Sequence, residues 1–171
     1  MSGVQPDFAQ LKQAAFASAS GWLAFGLGSG LSPVAPGTVG SAAALIVGLP
    51  LAALPTVTGL VVVAIAFVVG IFVCERATRA LGVHDHGAIV WDEFVGLWLV
   101  LVFLPADWRW WLAAFVTFRF FDILKPWPIR RLDLQVGGGF GIMLDDLLAA
   151  IYALAVMLTV GLATGWLAFP G

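Results

Sequence analysis

Five apolar stretches, each closed off by charge or proline, constrain this chain more than any other feature: 38–54, 57–74, 89–104, 110–124 and 144–169. Runs of this kind belong in the hydrocarbon of a bilayer, which about 20 apolar helical residues can cross. Apolar residues make up 61% of the 171 positions and charged residues 11%, so a water-soluble fold would lack the polar surface to cover itself. The expectation is therefore an all-α, polytopic membrane helical bundle of about five transmembrane helices, with 1–171 forming one integral-membrane domain. At ~1.5 Å rise per residue the third and fourth stretches reach only ~24 Å, so their polar ends must lie near or within the membrane interface. The formal net charge of −2 and the lack of a long basic run exclude a nucleic-acid partner. The single cysteine, Cys74, cannot form an intrachain disulfide and reads as a small buried hydrophobe.

Ahead of the first stretch, residues 7–20 mix Lys12, Gln10 and Gln13 with Phe8, Leu11 and Phe16, the pattern of an interfacial amphipathic helix within 1–20 rather than of a cleaved leader. The glycine-rich segment 26–40, with Pro33 and Pro36, is expected to be a loop or re-entrant piece at a cavity rim. Irregular backbone survives at membrane depth only against protein or water.

Arg76, Arg79, Lys125, Arg130 and Arg131 fall in two connections, 75–88 and 125–143, which are therefore assigned to the cytoplasm; Trp108, Trp110 and Trp111 then anchor the outer interface. This topology puts the N-terminal segment inside and Gly171 outside. It also brings Glu75, Asp85, Asp92, Glu93, Asp122, Asp133, Asp145 and Asp146 to one face. Asp92 and Glu93, and likewise Asp145 and Asp146, read as first-turn residues that can serve as helix caps. Asp122 closes its stretch, where the helix dipole disfavours an anion, and needs a cation nearby; Lys125 is the candidate.

Carboxylates crowded at one rim repel, and a divalent cation relieves that. Hard oxygen ligands suit Mg²⁺ or Mn²⁺, and neighbouring Lys and Arg suit a phosphate bridging to the ion. His84 and His86 are candidates for a polar role near that phosphate, since zinc would want more His or Cys than the chain has. Thr38 and Ser41, within Gly37-Thr38-Val39-Gly40-Ser41, offer hydroxyls at a helix N-terminus; Gly37 and Gly40 equally suit helix packing. The run 137–141 is a flexible linker or a loop approaching phosphate.

Four strings, 28–41 (GSGLSPVAPGTVGS), 83–96 (VHDHGAIVWDEFVG), 122–130 (DILKPWPIR) and 138–146 (GGFGIMLDD), resemble in order the phosphatidylglycerophosphatase A family of bacterial inner membranes. The resemblance implies Mg²⁺-dependent hydrolysis of phosphatidylglycerophosphate to phosphatidylglycerol and inorganic phosphate at the cytoplasmic rim. It implies metal positions at Asp92, Glu93, Asp122, Asp133, Asp145 and Asp146, with Lys125 and Arg130 in the same motifs. Catalytic roles then fall to Asp92, Glu93, Asp122, Asp146 and Lys125, and phosphate binding to Thr38, Ser41, Lys125, Arg130, His84 and His86. Ala150 stands where the family pattern has glycine. The chain has no Cys-x5-Arg loop and no Asp-x-Asp pair, which favours attack by metal-activated water over a phosphoenzyme. A small cation or proton-coupled transporter is the alternative that the same acids allow. A CDP-alcohol phosphotransferase would want an Asp-x-x-Asp-Gly-x-x-Ala-Arg string that is missing here.

Overall fold

The computed structural model describes residues 5–83 and 86–165, and all regular structure among them is helical. Two short helices open the chain, α1 (Phe8–Phe16) and α2 (Ala19–Ala24). Asp7 and Gln10 form a reciprocal capping box at the start of α1, and the Ser18 hydroxyl accepts from the Gly21 amide to start α2. The amphipathic segment is thus two helices, because Ser18 caps a new start where a single helix was expected.

A 3-10 turn, Gly26–Leu31, leads to α3 (Pro36–Gly48), so the irregular segment ends five residues earlier than the glycine content implied. Proline at the first helical position explains that start, since its missing N–H would be unsatisfied there in any case. α3 continues into a second 3-10 turn, Leu49–Ala53. Next come α4 (Thr56–Leu81), α5 (Trp91–Val102), α6 (Trp108–Leu124), α7 (Ile129–Gln135) and α8 (Gly138–Ala163). α4 runs through Glu75, Arg76 and Arg79, which were expected in a loop, and stops at Gly82 in the left-handed conformation. α6 stops at Leu124, where Lys125 takes up a left-handed cap and Pro126 forbids continuation.

Among the described residues, three segments are long and apolar enough to cross a membrane: Pro36–Ala53, Thr56–Leu81 and Gly138–Ala163. α5 and α6, with 12 and 17 residues, are shorter. Every residue of α5 except Leu99 is buried, which makes it the central helix, with α3, α4, α6 and α8 packed around it. Two buried indoles fasten it: Trp98 Nε1 donates to the Ala44 carbonyl of α3 at 2.8 Å, and Trp91 Nε1 to the Ala66 carbonyl of α4 at 3.1 Å.

Residues 138–141 form neither a linker nor a phosphate loop; they are the first turn of α8. Glu75 reaches across from α4, and its carboxylate accepts from the Gly139 amide at 2.7 Å while also pairing with Arg79 at 2.8 Å. A methyl group on Gly139 would lie 2.0 Å from the Ile71 carbonyl oxygen, so this glycine sets how closely α8 crosses α4. Gly139→Ala is accordingly expected to cost ~1–3 kcal/mol through backbone displacement. The measurement is the thermal midpoint of the detergent-solubilised protein, and an unchanged midpoint would mean that the crossing has slack.

Candidate active site

Four helices, α3, α5, α6 and α8, bring residues of the site to one cleft. Asp92 and Glu93 occupy the first turn of α5, next to free N–H groups that favour carboxylates. Asp145 and Asp146 lie two turns inside α8, because that helix begins at Gly138; the first-turn capping explanation does not apply to them. Both are almost completely buried, at 4% and 2% exposure, so another balance of charge has to hold them there. Asp122 comes from the last turn of α6, and Gly37 and Thr38 from the first turn of α3. These residues line a cleft of about 360 Å³ together with Arg119, Lys125, Ala35 and Ile89.

Among the described residues, Asp92, Glu93 and Asp146 each bring one carboxylate oxygen to a group in which the three oxygens lie within 4.8 Å of one another. Asp122 is an electrostatic neighbour of both Glu93 and Asp146. Glu93 Oε2 and Asp146 Oδ2 are buried without a hydrogen-bond donor. A cluster of hard oxygens with two acceptors of this kind fits a small divalent cation.

Two cations balance the acids. Arg119, one turn before Asp122 on α6, pairs with Asp122 and lies 3.5 Å from Glu93 Oε1. The Lys125 ammonium pairs with Asp145 and, at 3.2 Å, with Asp133 on α7. Asp122 therefore takes its cation from Arg119, where Lys125 was the expected partner. The left-handed backbone at Lys125 turns its side chain towards α7 and α8. Burial works against the charge on Lys125, but Asp145 and Asp133 outweigh it and hold its pKa above the ordinary lysine value. Lys125 is thus a permanent cation at the cleft wall.

Gly37 closes the arrangement: a methyl group there would sit 2.5 Å from Glu93 Oε1 and 3.1 Å from an Arg119 guanidinium nitrogen. Only a bare backbone allows α3 to approach this pair so closely.

Other expected residues fall outside the cleft. Ser41 is fully buried, and its hydroxyl donates to the Gly37 carbonyl one turn back at 2.9 Å, a contact internal to α3. His86 Nδ1 accepts from the Ala88 amide at 3.1 Å and shapes the turn before α5. Arg130 and Arg131 line an adjoining groove. Asp133 reaches the site only through Lys125. His84 and Asp85 lie outside the described residues, as does the end of the last expected crossing, 166–169. The sequence reading missed Arg119. Its signal was there, as the one basic residue inside the 110–124 apolar run, where a charge marks function unless shown otherwise.

A helical membrane protein whose buried carboxylates and fixed cations meet in one end cleft has the make-up of a membrane-embedded enzyme for an anionic substrate. Comparison with known proteins gives the family. The family model described as Phosphatidylglycerophosphatase A matches residues 22–161. The chain is 54% identical over 140 residues to Phosphatidylglycerophosphatase A of Haemophilus influenzae, covering 81% of this chain and 86% of that one. It is 46% identical over 140 residues to Phosphatidylglycerophosphatase A of Escherichia coli K12, covering 81% of each. No solved structure matches it. The chain belongs to the phosphatidylglycerophosphatase A family and is a phosphatase.

Proposed function

We propose that this protein hydrolyses the terminal phosphomonoester of phosphatidylglycerophosphate, releasing phosphatidylglycerol and inorganic phosphate, with Mg²⁺ as its cofactor. The observation that carries the reading is the meeting of Asp92, Glu93 and Asp146 within 4.8 Å, in a cleft that also holds Arg119 and Lys125, in a chain of this family. Asp92, Glu93 and Asp146 would hold the ion, with Asp122 and Asp145 beside them. When bound, Mg²⁺ supplies polarisation of a phosphoryl oxygen and a lowered pKa for a neighbouring water.

The chain's own residues do the rest. Lys125 and Arg119, both lining the cleft, neutralise charge on the phosphate, and Arg119 also keeps Asp122 and Glu93 in place. The free N–H groups at the start of α3 and the Thr38 hydroxyl donate to phosphate oxygens. A carboxylate of the cleft accepts a proton from the attacking water as its oxygen bonds to phosphorus; the bond from phosphorus to the glycerol oxygen breaks, and that oxygen takes up a proton to leave as the free alcohol. The diacylglycerol stays among the apolar helix faces, and only the terminal phosphate end of the headgroup enters the cleft. α5 and α6 complete five crossings of the bacterial inner membrane with α1 lying at its interface. The cleft faces the cytoplasm, in keeping with Arg76, Arg79, Lys125, Arg130 and Arg131 at the same end.

The test is phosphate release by the purified protein from phosphatidylglycerophosphate in detergent. Release is expected with Mg²⁺, to be lost on chelation and to return on adding Mg²⁺ back. No release at saturating Mg²⁺ would sink the reading, and cation flux across reconstituted vesicles in its place would favour a transporter.

A further inference from the structure

Beside the cleft runs a second cavity of about 520 Å³, and Lys125 lines both. Its floor is α7, held by the fully buried Ile129, by the ion pair from Lys125 to Asp133, and by the Tyr152 hydroxyl donating to the Trp127 carbonyl at 3.2 Å. That seating leaves Arg130 and Arg131 exposed in the groove, and neither has an ion-pair partner among the described residues. The groove is otherwise apolar: Leu124, Trp127 and Leu134 are 59%, 75% and 80% exposed. Two free guanidiniums against an apolar wall, continuous through one lysine with the acidic cleft, match a ligand that is anionic at one point and greasy beyond it.

We propose that this groove binds the inner, diester phosphate of a lipid headgroup bearing two phosphates. Arg130 and Arg131 contact the diester, and Leu124, Trp127 and Leu134 meet the start of the acyl chains. The inference rests on the functional reading above and adds to it the basis of headgroup choice. A three-carbon glycerol bridge separates the two phosphates of such a lipid, so the terminal one reaches past Lys125 into the cleft while the diester stays outside it. A lipid with a single phosphate fills one subsite only.

The test uses the full-length protein in micelles of an uncharged detergent, which present no anionic surface, with phosphatidylglycerophosphate and Mg²⁺. Contacts to the diester are the same in ground and transition states, so their loss appears in KM. Arg130→Gln/Arg131→Gln is expected to raise KM about tenfold or more and leave kcat within about twofold. The charge-keeping pair Arg130→Lys/Arg131→Lys should recover most of that loss. If the double variant does not accumulate, Arg131→Gln alone should raise KM about threefold. An unchanged KM overturns the proposal, and so does a fall in kcat, which would put these arginines at the reacting phosphate. A wild-type protein that releases no phosphate overturns the functional reading first, and this inference with it.

Discussion

Asp146→Asn is expected to lower kcat/KM for phosphate release by on the order of 10³-fold, while the ion-free protein unfolds at the same temperature or a few degrees higher. Both effects have one cause. The Asp146 carboxylate is 2% exposed, has one oxygen without a hydrogen-bond donor, and brings an oxygen within 4.8 Å of one from each of two more acids. At an effective dielectric of ~20, two unit charges at that separation repel by about 3 kcal/mol, so the cluster is a liability unless a cation occupies it. An amide of the same shape removes one charge and eases that repulsion, but leaves only a weak neutral ligand. Losing a few kcal/mol of charge stabilisation at ~1.4 kcal/mol per decade gives the expected drop in rate. Phosphate release measured against Mg²⁺ concentration, alongside thermal midpoints with and without Mg²⁺, tests both halves. Wild-type turnover in this variant would end the case for Asp146 as a ligand, and a strongly lowered midpoint without Mg²⁺ would mean that its charge is structural.

The second large effect belongs to Arg119. Its side chain is 14% exposed and sits between Asp122 and Glu93, so Arg119→Met leaves two buried acids without their cation. Breaking a buried ion pair from one side typically costs ~3–5 kcal/mol, which for a chain of this length is a fall in thermal midpoint of roughly 10 °C. Activity should fall with it, since Glu93 loses its guide. Adding Asp122→Asn to Arg119→Met should restore part of the lost stability, because one of the stranded charges is gone, and should not restore activity. A single variant as stable as wild type, or a double variant no better than the single one, would show that the guanidinium does not hold this cluster.

Much of this site was legible along the chain, for local reasons. Asp122 stood out because it sits at the wrong end of a helix dipole, and that argument needs only the end of one apolar run. The start of α5 was equally plain, with Asp92 and Glu93 opening a stretch apolar enough to be the buried centre. Partner choice was not legible. Asp122 has cations three residues away on either side, and sequence spacing cannot separate them; the left-handed backbone at Lys125 does, by turning that side chain to Asp145 and Asp133. Arg119 was hidden inside an apolar run, and its other partner, Glu93, comes from a different helix. The glycines at 138, 139 and 141 looked like a loop because glycine content alone cannot distinguish a flexible backbone from one that a neighbouring helix touches. Glu75, counted only among the acids brought to that face, proved to cap the start of that helix.

The sequence by itself determined that this chain is a helical membrane protein, and which of its residues carry charge into a setting hostile to it. Those are properties of runs and of single residues, and transfer free energy decides them locally. Tertiary structure alone decided which carboxylates meet and which cation serves which acid. It also set Arg130 and Arg131 in a groove of their own and turned Ser41 into a contact within its own helix. Such outcomes depend on where helices cross, and a crossing is set by packing between residues far apart in the chain, here Gly139 on Ile71 and Gly37 on Glu93.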